Sequence, residues 1–289
     1  MSRRDAPAAV RWTAYVAVAI VFAIACAFLS NWQFSRNAER SEQLALVEAN
    51  YDATPVPLAE VIAPGGAFDP ADEWAPVVLE GSYLADEQLL VRNRAHGGTA
   101  AYEVLVPFRT VDGRVVIIDR GWVPPGEQQN LPDAVPAPPE GDVQVIARLR
   151  PGEPLPASGR SAPEGQVPTI NLPTVQAAVA PSVAAELELE AYGIMVSEDP
   201  APATRPAALG SPSEDPGPHL SYAIQWILFA LMGFVFIGYV IRTERAHRRE
   251  EAEDAAARLA GETPRTRPAA RRRDADADAE DALIDSGRR

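Results

Sequence analysis

The apolar positions of this chain fall into two long uncharged runs, one near each end, with shorter runs between them. The second long run, residues 220–241, contains 22 residues without a charge. At about 1.5 Å per residue a helix of that length reaches roughly 33 Å, enough to cross a hydrocarbon core of about 30 Å. The first run, residues 12–29, continues to Phe34 through aromatic residues typical of a membrane interface. The pattern predicts transmembrane helices over residues 12–34 and 219–241.

A cleaved signal peptide is the alternative for the first run, because Arg3, Arg4 and Arg11 precede it as a positive leader. The uncharged run has 18 residues. Signal peptides use apolar cores of roughly 7–15 residues. The length therefore favours a span that is retained.

Arginine placement predicts the topology. Residues 1–11 carry three arginines, and four more follow the second span at Arg242, Arg245, Arg248 and Arg249. Cytoplasmic flanks of membrane helices are enriched in arginine and lysine. Both termini are therefore predicted to be cytoplasmic, with residues 35–198 forming an extracytoplasmic domain of a multi-pass protein.

Between the spans the apolar positions follow a β-rich pattern with turn residues at its breaks. Predicted strands cover residues 77–80, 87–94, 102–111, 114–120, 143–150 and 191–198. Asp112-Gly113 between two of them is a strong hairpin signal. An amphipathic helix over residues 37–50 and a short helix over 172–190, broken at Pro181, complete the elements. The fold class is a membrane protein with two transmembrane helices flanking a mainly antiparallel β (α+β) extracytoplasmic domain, built as a small barrel or sandwich.

Two segments have the composition of connectors. Residues 199–218 are rich in proline without apolar periodicity, which predicts a semi-rigid linker. Residues 242–289 contain 12 arginines and 12 acidic residues with few large apolar groups. We expect this cytoplasmic tail to begin as a helix through Arg258 and to be largely disordered beyond it.

Charge and motif content exclude several functions. Residues 34–218 contain 11 arginines and 27 acidic residues, so this negative domain is not expected to bind nucleic acid. The only cysteine, Cys26, lies in the first span, so no intramolecular disulfide forms. The sequence contains no Ser/His/Asp elbow, Cys-x-x-Cys pair, metalloprotease motif or phosphate loop. We therefore do not expect an enzyme.

Polar and aromatic groups gather at the start of the second span. His219, Tyr222 and Trp226 follow at i, i+3 and i+7, which places them on one side of a helix. A neutral imidazole here is suited to bind haem iron, with aromatic rings packed beside the porphyrin. The alternative is an interfacial anchor group, as tyrosine and tryptophan often provide. Gln225 lies on another side, where its amide is expected to join the two spans.

Two arginines lie near the ends of predicted strands, Arg92 in Arg92-Asn93-Arg94 and Arg120 in Asp119-Arg120-Gly121-Trp122. Antiparallel pairing is expected to bring Arg92 and Arg120 to one sheet edge, where their guanidinium groups would hold an anion such as a carboxylate. Salt bridges to the many acidic residues of the domain are the alternative.

The chain resembles the surfeit locus protein 1 family of cytochrome c oxidase assembly factors over roughly residues 12–242. Six short motifs in the family's order carry the resemblance: Asn31-Trp32-Gln33-Phe34-Ser35-Arg36, Gly81-Ser82-Tyr83, Arg92-Asn93-Arg94, Gly98 through Tyr102-Glu103-Val104 to Pro107, Arg120-Gly121-Trp122-Val123-Pro124, and His219 through Tyr222-Ala223 to Gln225-Trp226. Ser30-Asn31 stands where the family usually has Leu-Gly.

The resemblance implies a non-enzymatic factor of the bacterial cell membrane that assists delivery of haem a to cytochrome c oxidase. It implies subunit 1 of the oxidase and haem a synthase as partners, and His219 as a transient ligand of haem iron with Trp226 and Tyr222 beside it. Arg120 is then a candidate for the haem propionates. A two-span extracytoplasmic binding or sensor protein without haem is the alternative.

Overall fold

The structure is a computed structural model that describes residues 8–96 and 98–260. The described residues form two compact units. One consists of the described parts of Met1–Phe34 and Leu220–Arg289, and the other is Ser35–His219. Arg3, Arg4 and the part of the tail predicted to be disordered lie outside the described residues.

The elements alternate between long terminal helices and a central run of strands. In chain order they are α1 (Ala8–Asn50), β1 (Val56–Pro57), α2 (Leu58–Val61), β2 (Pro76–Tyr83), β3 (Leu89–His96), β4 (Thr99–Thr110), β5 (Val115–Val123), β6 (Val143–Pro151), β7 (Gln166–Val167), α3 (Leu172–Ala178), α4 (Pro181–Ala184), β8 (Ala191–Asp199) and α5 (His219–Leu259).

Helices α1 and α5 are long and apolar enough to cross a membrane. Each has 41 residues in its candidate segment, with mean hydropathy of 2.3 and 2.2 over the most apolar windows. Large apolar side chains such as Phe28, Val235 and Phe236 are exposed on their outer faces. This outward apolar surface is what a helix pair presents when its solvent is lipid.

The contact between the two helices is lined by shielded residues, several of which are small. On α5 the shielded positions recur at alternating steps of three and four, at Ala223, Trp226, Ala230, Gly233, Ile237, Val240 and Glu244. On α1 they are Ala19, Ala23, Cys26 and Ser30. A side chain at Gly233 would lie 3.2 Å from the ring of Phe22. We call this contact the helix seam; its small residues let the two backbones approach closely, as in membrane helix pairs.

Ser30 forms one polar link across the helix seam. Its hydroxyl donates a 3.0 Å hydrogen bond to the carbonyl of Ala223. Gln225 is exposed and lies off the seam. The expectation that Gln225 joins the helices is wrong, because its position on α5 falls outside the repeat of three and four that faces α1.

The sheet of the second unit closes into a ring of five strands, β2–β6–β8–β5–β4–β2. Strand β3 continues the sheet beyond β4, β7 lies beside β3, and β1 lies beside β2. The long pairings are antiparallel, whereas β1–β2, β3–β7 and β5–β8 are short parallel pairings of two residues each. The domain is thus a small mixed barrel in which antiparallel pairing dominates.

Two cores share strand β5. Val116 and Ile118 belong to a core to which all five ring strands contribute, whereas Val115 and Ile117 belong to a second core covered by α3 and α4. Successive side chains of a strand point to opposite faces. Because both faces of β5 are buried, its sequence is a continuous apolar run instead of an alternating one.

The predicted strands are confirmed with shifts of a few residues at their ends, and Gly113 forms the predicted hairpin turn at φ +89°. The predicted helix over residues 37–50 is the end of α1. Pro181 separates two short helices, as expected, because it begins α4. The two-residue strands β1 and β7 were not predicted, since runs this short have no periodicity to detect.

Candidate functional site

The candidate site begins where α5 begins. His219 is the first residue of α5, and Gly217 before it adopts φ +73°. The N–H of Gly217 donates to the carboxylate of Asp215 over 2.8 Å. Arg40 of α1 donates to the backbone carbonyls of Ser213 and Asp215. The turn before His219 is therefore held by contacts within the Ser35–His219 unit.

The imidazole of His219 lies over a residue that has no side chain. A Cβ built on Gly217 would lie 3.8 Å from Nε2 and 3.6 Å from Cδ2 of His219. A side chain at Gly217 would thus meet the His219 ring at ordinary van der Waals distance. A residue other than glycine would also be strained at this φ.

The two aromatic residues of the candidate site differ in exposure. Tyr222 is 47% exposed. Trp226 is partly shielded and contacts Phe229 edge to face, with ring centroids 5.7 Å apart. Helix α5 therefore carries an imidazole, a phenol and an indole within its first two turns, as the sequence predicts.

Charged groups beyond the apolar run join the other end of the helix pair. Arg11 forms an ion pair with Glu244, and the indole N–H of Trp12 donates to Glu244 over 2.9 Å. The guanidinium of Arg245 lies 4.8 Å from the centre of the Trp12 ring. These contacts between the two helices fix their antiparallel alignment.

Inside the barrel domain, two motif residues belong to a polar cluster. Arg94 pairs with Glu103 and with Glu153, the latter at 2.7 Å. His96 Nε2 lies 2.9 Å from Glu103 Oε1, and its ring stacks on Trp122 at 5.4 Å. Burial would lower the pKa of Arg94, but its hydrogen bonds to Glu153 and the negative charges beside it raise the pKa above its ordinary value.

Two carboxyl groups of this cluster shift in opposite directions. Burial opposes ionisation of Glu153, but hydrogen bonds from Arg94, Thr169 and the backbone N–H of Ile170 hold its pKa below the ordinary value. Burial of Asp119, with the negative charge of Glu103 added to it, raises the pKa of Asp119 well above the ordinary value.

Arg120 is fully buried and forms a forked ion pair. Its Nη2 lies 2.7 Å from Glu198 Oε1 and its Nε lies 3.2 Å from Oε2. The remaining Nη1 donates to the carbonyl of Pro136 over 2.9 Å. The guanidinium also lies 5.3 Å from the centre of the Tyr83 ring. All three nitrogens are thus engaged within the domain, which is the salt-bridge alternative raised by the sequence.

The expectation that Arg92 and Arg120 meet at one sheet edge is wrong. Strand β4 lies between β3, which carries Arg92, and β5, which carries Arg120. The acidic partners Glu103, Glu153 and Glu198 were not predicted. The signal for Glu103 is a carboxylate within a mainly apolar strand. Glu198 stands between Ser197 and Asp199, so its sequence context gives no such signal.

Gly121 next to Arg120 permits a close backbone contact. It adopts φ +120°, and a Cβ there would lie 2.3 Å from the carbonyl oxygen of Ala207. Trp122 and Ala207 exchange two backbone hydrogen bonds of 2.9 Å. Gly121 thus lets the proline-rich segment pair with the end of β5.

Among the described residues, no group of three or more His, Cys, Asp or Glu side chains is arranged to hold a metal ion. His96 is engaged with Glu103. A metal held by His219 would therefore have to bring its other ligands with it, as the porphyrin nitrogens of haem do. An imidazole such as that of His219 is one of the side chains that haem iron accepts as an axial ligand.

Together these features define a class of protein: a small mixed β-barrel domain that lies in sequence between two helices of membrane-spanning length. A model of the SURF1 family matches residues 20–231. An uncharacterised SURF1-like protein of Mycobacterium tuberculosis is 35% identical over 247 residues, which is 83% of this chain and 88% of the relative.

The chain belongs to the SURF1 family. The corresponding SURF1-like protein of Mycobacterium bovis has the same identity and coverage. The cytochrome oxidase assembly protein SHY1 of Saccharomyces cerevisiae is 29% identical over 132 residues, which is 43% of this chain and 32% of the yeast protein.

Proposed function

We propose that this protein is an assembly factor for cytochrome c oxidase that assists the delivery of haem a to the catalytic subunit. Membership of the SURF1 family supports the assembly role, since the yeast relative is named as a cytochrome oxidase assembly protein. The proposed role is that of a binding and chaperone protein, without catalysis of its own. Subunit 1 of the oxidase and haem a synthase are the proposed partners.

The observation that carries the haem proposal is the position of His219 as the first residue of a long apolar helix, with Tyr222 and Trp226 in the next two turns. His219 would ligate the iron, and Tyr222 and Trp226 would pack against the porphyrin. A bound haem a would supply an iron centre that accepts an imidazole ligand. Arg120 is not part of this proposal, because Glu198 and the Pro136 carbonyl engage its nitrogens.

The haem proposal is tested with the full-length protein purified from a strain that makes haem a. Wild-type protein is expected to carry a haem a absorbance band, and His219→Ala to lose it while still inserting in the membrane. His247→Ala is the matched control, since His247 also lies on α5 but far beyond the apolar run. Trp226→Phe keeps an aromatic ring and should retain more pigment than His219→Ala.

Two outcomes would contradict parts of this proposal. If His219→Ala keeps the full haem a complement with unchanged bands, His219 is an interfacial residue and not a ligand. If membranes of a gene-deletion strain keep normal haem a in their oxidase, the assembly role fails and a haem-free binding or sensor function is favoured. The two measurements are independent of one another.

We further propose that the protein lies in a bacterial cell membrane, with residues 35–215 outside and both termini in the cytoplasm. The support is the arginine enrichment that flanks the two apolar runs. In a Cys26→Ser background, an impermeant maleimide should label a cysteine placed in Gly152–Gly165 of intact cells and should not label one at Ala269. The reverse labelling would overturn the topology.

A further inference from the structure

A second candidate site lies beside strand β3, in a cavity of about 320 Å³. Its lining consists of Arg92, Asn93, Arg160, Ser161 and Pro168. We propose that this cavity binds the phosphate or carboxylate group of a small anionic ligand. The proposal goes beyond oxidase assembly. It does not depend on haem binding, because the lining residues do not include His219, Tyr222 or Trp226.

A β-bulge builds one wall of the cavity. On β3, Val91 pairs with Glu103 of β4 and Arg94 pairs with Ala101, so Arg92 and Asn93 together oppose Tyr102 alone. Asn93 adopts φ +60°, as bulged and turn residues do. The extra residue releases the Arg92-Asn93 pair from the regular ladder.

The long connection between β6 and β7 supplies a second part of the lining. It supplies Arg160 and Ser161, and β7 then pairs with Leu90 and Val91 on the outer side of β3. The pairing of β7 thus holds the end of this connection next to the bulge. Two arginines from segments far apart in sequence, Arg92 and Arg160, consequently line one cavity.

Most of the other arginines of this unit have acidic partners. Within the described residues of the Ser35–His219 unit, seven arginines form ion pairs with acidic side chains: Arg36, Arg94, Arg109, Arg114, Arg120, Arg148 and Arg150. Arg92, Arg160 and Arg205 have no ion pair or hydrogen bond in that part of the chain, although the domain contains 27 acidic residues. Of these three arginines, Arg92 and Arg160 line the cavity. The cavity lining contains no carboxylate.

Arg92 also has a buried N–H group without a hydrogen-bond acceptor. Its Nε is buried and has no hydrogen-bond partner among the described residues. Buried N–H groups are nearly always paired, and one left unpaired is destabilising. An anion in the cavity would balance two positive charges and supply acceptors for their N–H groups.

The lining chemistry selects an oxyanion. Arginine presents forked N–H groups that match the paired oxygens of a carboxylate or phosphate. Ser161 and Asn93 add a hydroxyl and an amide that donate hydrogen bonds. The volume lies near the lower limit of roughly 300 Å³ for small-ligand sites, so the anionic group is carried on a small molecule or a lipid headgroup.

The test uses the full-length protein in nanodiscs of neutral lipid, titrated calorimetrically with inorganic phosphate and separately with succinate. Saturable binding of one of them is expected. Arg92→Ala and Arg160→Ala should each weaken it roughly tenfold or more, in line with the strength of charged hydrogen bonds. Arg160 is exposed, so its variant folds even if Arg92→Ala does not. Arg205→Ala is the matched control, because Arg205 is an exposed arginine of the same unit outside the cavity.

A second arm distinguishes the source of the anion. If the ligand is soluble, phosphate affinity is unchanged in nanodiscs that contain phosphatidylglycerol. If a lipid headgroup occupies the cavity, the wild-type protein loses phosphate binding in these nanodiscs but keeps it in nanodiscs of neutral lipid. Absence of saturable binding of both probes, or wild-type affinity in Arg92→Ala and Arg160→Ala, overturns the proposal.

Discussion

At the residue scale, Asp119 is a carboxyl group placed where ionisation is unfavourable. It is 1% exposed, and its Oδ1 accepts the backbone N–H of Gly121 over 3.0 Å. Burial and the charge of Glu103 raise its pKa. Asp119 therefore keeps its proton in the folded protein over a pH range in which an aspartate of the unfolded chain has lost it.

Because the pKa of Asp119 is higher in the folded state than in the unfolded chain, the free energy of unfolding falls as pH rises. The stabilising contribution of Asp119 is complete below the unfolded pKa of about 3.9 and is lost as pH passes through the higher folded value. Asp119→Asn keeps the amide oxygen as an acceptor for Gly121 but does not ionise. We expect the stability of Asp119→Asn relative to wild type to increase between about pH 4 and 8. Denaturant titrations across this range measure the difference, and parallel pH profiles would contradict the prediction.

The buried and exposed ion pairs of the domain should differ sharply in how much they stabilise the folded state. Arg120 and Glu198 have side chains 0% and 1% exposed, whereas Arg109 and Glu186 have side chains 36% and 43% exposed. Glu198→Ala leaves a buried guanidinium without its carboxylate and should destabilise the domain by about 3–5 kcal/mol. Glu186→Ala, the matched control, should cost less than about 1 kcal/mol. Equal losses in chemical denaturation of the two variants would refute this difference.

Sequence reasoning located the arginines but not their partners. Arg92 and Arg94 look equivalent in sequence, yet Arg94 has two carboxylates and Arg92 has none among the described residues. The difference arises from the bulge between Val91 and Arg94, and a single-residue register change leaves no trace in hydrophobic periodicity. The partner of Arg120 lies 78 residues later in the chain.

At the scale of elements, structure that depends on local sequence was predictable. The Asp112-Gly113 hairpin joins strands adjacent in sequence, and its turn chemistry is local. The parallel contact of β5 with β8 is different, because it joins Ile118 to Gly193 through two residues of each strand. No local pattern specifies such a pairing, so the sequence alone does not distinguish a barrel from a sandwich.

The packing of the helix seam can be tested through the reactivity of Cys26. Cys26 is the only cysteine and is 1% exposed within the seam. Gly233→Val would place a branched side chain against Phe22, separating the helices and making Cys26 more accessible. Alkylation of Cys26 by N-ethylmaleimide in detergent should be several-fold faster in Gly233→Val than in wild type.

Gly238→Val provides the matched control for the seam. A Cβ at Gly238 meets no atom within 4 Å, so this variant adds the same side chain to the same helix without a clash. Cys26 of Gly238→Val should react at the wild-type rate. If both valine variants react alike, the close approach at Gly233 does not hold the helices together.

At the scale of the whole molecule, hydropathy and charge indicated the number and length of the apolar helices, and six short motifs indicated the family. The family match ends at residue 231, whereas α5 continues to Leu259. The assembly role proposed above is therefore assigned to the part of the chain before the charged tail.

Removal of residues 261–289 tests that assignment. The truncated chain keeps all of α5 and the whole region matched by the family. We expect normal membrane insertion and, if the proposed function holds, an unchanged haem a band of the oxidase in the membranes. A strain whose truncated protein is present at the wild-type level but whose oxidase lacks haem a would show that the tail takes part in assembly.

The closed ring of strands also bears on how the protein is made. Strand β8 pairs with both β5 and β6, and among the strands of the described residues it is the last to be synthesised. Until Asp199 has left the ribosome, β5 and β6 each retain an open edge, and open edges in a half-made chain promote aggregation. Ring closure also depends on contacts distant in sequence, which form slowly. A nascent chain arrested just before Ala191 is therefore expected to need chaperones or to be degraded, instead of surviving as a smaller folded domain.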